Sequence, residues 1–106
     1  MAVIEMDSEQ LNQALQSNKP IILDFWAPWC GPCLHFAPVY QRCSELYPDV
    51  IFGKINVEDH EDLAVKFKIR SIPKICIIRD GDIIAERLGS SDFESFKTFL
   101  ESHLSV

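Results

Sequence analysis

The chain is short of basic residues, of glycine and of long apolar runs, and each scarcity argues against a class of function. Ten Lys and Arg stand against sixteen Asp and Glu in 106 residues, giving a formal charge of −6. A nucleic-acid-binding face needs clustered cations, and here both signs are spread along the sequence. Four glycines and six prolines are scattered, so there is no flexible linker, low-complexity segment or internal repeat. No apolar stretch approaches the ~20 residues of a membrane helix. The opening MAVIEMDSEQ has no basic region followed by an apolar stretch, so no signal peptide is expected, and a reducing, cytoplasmic location is. With 47% hydrophobic and 25% charged residues, the chain can bury a core, and its length suits a single domain over residues 1–106.

Periodicity orders what is there. DSEQLNQALQSN (7–18) predicts a helix, with Asp7 as N-cap, Gln10 completing a capping box, and Leu11, Ala14 and Leu15 on one face. PIILDFWA (20–27) is a continuous apolar run with one carboxylate, as in a strand covered on both faces. From Gly31 to about Tyr47 the spacing is helical, through Cys33, Phe36, Ala37, Tyr40, Cys43 and Tyr47. Pro32 falls in its first turn, where proline is tolerated, and Pro38 should kink it. DVIFGKINVE (49–58) reads as a strand, HEDLAVKFK (60–68) as a short helix, and IPKICIIRD (72–80) as a strand. Asp80-Gly81-Asp82 is a hairpin turn leading into IIAERLG (83–89). A last helix opens at Ser91, with Glu94 as its capping-box partner and Phe96, Phe99, Leu100 and Leu104 as its stripe. The expectation is an α/β fold, with a mixed sheet of four to five strands and about four helices on both faces.

Two of the four cysteines, Cys30 and Cys33, lie close together in FWAPWCGPCLHF. A structural zinc site usually needs two such pairs. Cys43 and Cys76 stand alone at core-like positions, and His35 points away from Cys33 on a helix, so no metal site is expected. As a staple the pair would close too short a loop to remove much chain entropy. A redox pair has positive support. Cys30 ends a strand-to-helix turn, and free N–H groups at the helix N-terminus favour a thiolate. Bringing a thiol from about 8.5 to about 7 takes roughly 2 kcal/mol, and a partly buried helix terminus supplies up to ~2. Pro32 stiffens the turn, and Trp29 would shield the site and offer a flat apolar surface.

LDFWAP, WCGPC, KINVE, IRSIPK and the late LGS, in this order and spacing, resemble the thioredoxin family from about residue 20 to the end. The resemblance implies a thioredoxin fold and a protein-disulfide reductase. Cys30 would attack a target's disulfide, and Cys33 would resolve the mixed disulfide and leave Cys30–Cys33 oxidised. Asp24 would be the buried carboxylate beneath the pair, acting as base for Cys33, with Lys54 near it. Pro73 would be a cis-proline facing the cysteines and presenting the Ile72 backbone to an extended substrate. Trp29, Gly31, Pro32, Ile72, Pro73 and Gly89 would line the substrate groove. The resemblance further implies no bound cofactor, electrons from NADPH through a thioredoxin reductase flavoprotein, disulfide-containing target proteins, and a monomer without nucleic-acid or membrane partners.

Plainer readings stand beside these roles. Asp24 could be a satisfied core group, Lys54 a solvated strand residue, Gly89 a strand end, and Trp26 a packing residue. Cys43 and Cys76 read as inert core, and His60 and His103 as surface. The chain departs from the family at Leu34, where Lys or Arg is common, at Pro28, where an acid is common, and at Ser71 and Lys74, where Gly and Thr are usual. Lys74 is expected to favour targets acidic near their disulfide. The rival functions are an oxidase or isomerase, and a binding subunit or chaperone-like module that uses the groove without electron transfer. Gly31-Pro32 between the thiols argues against the first, and two intact thiols against the second.

Overall fold

The structure is a computed structural model that describes residues 2–104. Its sheet follows from the apolar runs: β1 (Val3–Glu5), β2 (Ile21–Trp26), β3 (Ile51–Asn56), β4 (Lys74–Arg79) and β5 (Asp82–Leu88), in the order β1-β3-β2-β4-β5. β1, β3 and β2 are parallel, while β4 runs antiparallel to β2, and β5 to β4. This is the mixed sheet expected, with one strand more than the run of elements read along the sequence. β1 has three residues and one sheet neighbour, too few for an alternating pattern to register.

Among the described residues four helices cover the sheet: α1 (Ser8–Gln16), α2 (Gly31–Ser44), α3 (Glu61–Lys66) and α4 (Phe93–His103). The capping box at Asp7 and Gln10 forms as expected. α4 is capped by Asp92, which accepts from the Ser95 N–H, rather than by Ser91. The Ser91 hydroxyl instead donates to the Asp92 carbonyl. α2 stops at Ser44, short of Tyr47, yet Tyr47 stays buried in the following turn. Pro38 does not end α2, because the stripe Cys33, Phe36, Tyr40 and Cys43 anchors the helix on both sides of it. Asp80 and Gly81 both take positive φ, as a two-residue hairpin turn requires.

Side-chain alternation along β2 divides the core. Ile22 faces α2 and α4 with Phe36, Tyr40, Phe52, Phe96 and Leu100. Ile21, Leu23 and Phe25 face α1 and α3 with Leu11, Ile55 and Leu63. Each such side chain contributes ~1.5–3 kcal/mol on full burial. Asp24, at the same parity as Ile22, is thereby forced onto the α2 face of the central strand, fully buried. The Tyr40 hydroxyl lies 2.7 Å from the Gly53 carbonyl and 3.0 Å from that of Ile22, tying α2 to the two strands beneath it.

Candidate active site

β2 ends at Trp26 and releases the chain at the carboxyl edge of the sheet, where the Cys30 N–H turns back to the Ala27 carbonyl at 3.1 Å. Cys30 then caps α2, its Sγ accepting the Cys33 N–H at 3.2 Å. Cys30 and Cys33 form a disulfide with their Cα atoms 5.2 Å apart. Cys33 is sealed at 1% exposure while Cys30 keeps 5%, so an incoming group meets Cys30 first. Pro32 occupies the first helical turn, with Gly31 and Pro32 exposed.

Two loops meet this turn. The Ile72–Pro73 peptide is cis, and the Ile72 carbonyl oxygen lies 3.9 Å from Cys30 Sγ. The Pro73 carbonyl accepts the Gly89 N–H at 2.9 Å. Gly89 has φ +86, in the left-handed region that favours glycine, so its identity has a backbone reason. Trp29 is 68% exposed, and Leu34 and Leu88 add exposed apolar surface. The six residues expected to line a groove therefore share the sulfur's neighbourhood: Trp29, Gly31 and Pro32 beside it, Ile72 and Pro73 opposite, and Gly89 bonded behind.

Below lies Asp24. Neither of its carboxylate oxygens has a hydrogen-bond partner among the described residues. Burial pushes its pKa from 3.8 up to about 7, Lys54 pulls it down, and Glu5 pushes it up. Lys54 is its register partner on β3, but its Nζ sits 4.3 Å from the Trp26 ring centroid rather than in an ion pair with Asp24. Trp26 thus has a cation as well as the core for a neighbour. Burial also pushes the Cys43 and Cys76 thiols up to about 11 each, which keeps both protonated and inert near neutrality. Among the described residues no group of three or more His, Cys, Asp and Glu could hold a metal ion.

Lys74 corrects the sequence-based picture. Its ammonium is paired with Glu86 and its side chain is only 15% exposed, so it presents no free cation to a target. Three residues escaped the sequence reading: Glu86, Tyr40 as a hydroxyl tie, and Glu5 beside Lys54. Each acts through a partner far away in sequence, and no local pattern carries that signal.

A disulfide capped into a helix N-terminus, with a backbone carbonyl beside its less buried sulfur and a buried carboxyl on the strand that leads to it, defines a thiol–disulfide oxidoreductase. The thioredoxin family model matches residues 2–102. A Haemophilus influenzae thioredoxin is 35% identical over 99 residues, which are 92% of each chain. Thioredoxin 1 of Synechococcus elongatus is 33% identical over 105 residues, 98% of each chain. A Streptomyces coelicolor protein bearing the thioredoxin 2 name is 42% identical over 79 residues, 74% of this chain but 59% of that protein. The chain belongs to the thioredoxin family.

Proposed function

We propose that the protein reduces disulfides in target proteins as a monomer, holds no cofactor of its own, and is recycled by an NADPH-dependent thioredoxin reductase flavoprotein. Its place is the cytoplasm; no helix among the described residues is long and apolar enough to cross a membrane. The observation that carries this reading is the Cys33 N–H on Cys30 Sγ at the start of α2. Backbone donors and the helix dipole stabilise negative charge on that sulfur and not on a core thiol.

In the reaction the Cys30 thiolate attacks a target disulfide. A Cys30–target bond forms, the target's bond breaks, and one target thiolate leaves. Cys33 then gives its proton to the Asp24 carboxylate and attacks Cys30 Sγ. The Cys30–Cys33 bond forms, the second target thiolate leaves, and two electrons have passed to the target. Asp24 suits the role because a base titrating near 7 is half-ionised at neutral pH. Lys54 holds it there against its burial. Trp29, Gly31, Pro32, Ile72, Pro73 and Gly89 receive the target, whose extended backbone lies along the Ile72 carbonyl.

The test is the reduction potential of the Cys30–Cys33 pair against glutathione, in a Cys43→Ser/Cys76→Ser background. The thioredoxin reference of about −270 mV is an established figure for the family, not a product of this structure, and a value near it is expected. A value of about −120 to −180 mV would place the protein among oxidants and isomerases and overturn the reductase reading.

A further inference from the structure

The α2 face of the sheet carries a row of charge that does not stop at Asp24. Register sets Asp24 on β2 beside Lys54 on β3, and Lys54 beside Glu5 on β1. Parallel strands lie ~4.8 Å apart, so one cation stands between two carboxyl groups across three neighbouring strands. Exposure is graded along the row: Asp24 is buried, Lys54 half-buried, and Glu5 exposed at the sheet edge. Lys54 is ion-paired with neither carboxyl group, its Nζ lying over Trp26, so its field acts on both. Glu5 and Lys54 share a groove of about 470 Å³ with Leu34, Tyr40 and Gln41. That groove solvates the outer end of the row.

The other groups around Asp24 are few. From α2 comes Tyr40, whose hydroxyl is occupied by backbone carbonyls, and Cys33 lies in the first turn of the same helix. β4 places Ile75 beside Asp24, and β5 places Arg87 beyond Ile75. α4 contributes Phe96 and Leu100, which carry no charge. Lys74 is at the opposite parity and paired with Glu86. Lys54 is thus the charged side chain nearest to Asp24 in the row, with Glu5 and Arg87 each two strands away; of those two, Glu5 is the one that acts on Asp24.

We propose that Glu5 is a positioning residue for the resolving step: its carboxylate offsets the Lys54 ammonium and so keeps Asp24 able to take the Cys33 proton near neutral pH. Glu5 makes and breaks no bond. The Cys33 proton goes to Asp24, the Cys30–Cys33 bond forms, and the target sulfur leaves with the electron pair of the broken bond. The opposed effects of Lys54 and Glu5 on Asp24 agree in direction with this arrangement. The inference rests on Asp24 being the base for Cys33.

The experiment follows both thiolates released when the reduced protein reacts with a chromogenic nitrobenzoate disulfide, by stopped flow across pH. The first release reports Cys30, and the second reports Cys33 and is absent in Cys33→Ser. In Glu5→Gln the pH midpoint of the second release is expected to fall at low salt, and in Glu5→Lys to fall further. Near 1 M salt, where the screening length is about 3 Å, the difference should collapse. In an Asp24→Asn background it should vanish. If Asp24→Asn abolishes the pH dependence but Glu5→Gln keeps the wild-type midpoint at low salt, the Glu5 proposal is overturned and the Asp24 reading stands. The Glu5 proposal is likewise overturned if Glu5→Gln only lowers the melting temperature with the midpoint unmoved. If Asp24→Asn itself keeps the wild-type profile, the base is not Asp24, and both readings fall.

Discussion

The Cys33 N–H donates to Cys30 Sγ over 3.2 Å, so the sulfur that meets the target is also the cap of the helix beneath it. Reactivity and helix stability share one atom. Cys30→Ser keeps an acceptor at the N-cap, whereas Cys30→Ala removes it. Both variants should lose disulfide exchange. Under reducing conditions the serine variant should be the more stable by about 1 kcal/mol in urea denaturation. Equal stabilities would mean that the cap contributes nothing to α2.

Asp24 makes stability depend on pH. The folded carboxyl keeps its proton up to about 7, while the ordinary value is 3.8. Between those values the folded state binds more protons than the unfolded, so stability falls as pH rises, and the deficit is complete above about 7. At roughly 1.4 kcal/mol per pH unit it reaches about 4 kcal/mol. Asp24→Asn, neutral at every pH, should therefore be more stable than the wild type at pH 8 by that order. Below pH 4 the two should converge. A constant difference across pH would show that the carboxyl is not buried in the way described.

Tyr40 tests the tie between α2 and the sheet. Tyr40→Phe keeps the ring against Phe36, Phe52 and Phe96 but removes the hydroxyl from the Gly53 and Ile22 carbonyls. A loss of about 1 kcal/mol is expected, since a buried hydrogen bond to the strands is removed. Exchange chemistry at Cys30 should stay within twofold of wild type, as the hydroxyl is engaged below the active site. A large loss of rate at unchanged stability would contradict this.

The Lys74–Glu86 pair predicts how target preference changes. With its charge engaged, Lys74 should confer little preference for acidic targets in the wild type. Glu86→Gln frees the ammonium beside Pro73. The ratio of kcat/KM for an acidic over a neutral disulfide peptide should then rise about twofold, the scale of one partly exposed ion pair. It should return to the wild-type ratio in Glu86→Gln/Lys74→Thr. An unchanged ratio in the single variant would remove Lys74 from target choice.

Much of this was legible before the fold. The run IILDFW could bury both faces only inside a covered sheet, and helical spacing after Cys30 put the thiol pair at a helix N-terminus. Asp80-Gly81 announced the hairpin by its φ requirements. What stayed hidden had physical reasons. β1 is too short to show a period. Asp92 took the α4 cap from Ser91 because a carboxylate accepts an N–H at least as well as a hydroxyl does. Lys74 read as a free cation because its partner, Glu86, comes from another strand.

The sequence by itself determined the elements other than β1, and the reactive pair, since both rest on local chemistry: side-chain periodicity, turn residues, and two thiols one helical turn apart. Only the tertiary structure decided what surrounds them. The Ile72 carbonyl beside Cys30, the Gly89 bond to Pro73, and the row from Glu5 through Lys54 to Asp24 come from strand order and register. These are long-range pairings, set when the two halves of the core pack on opposite faces of β2.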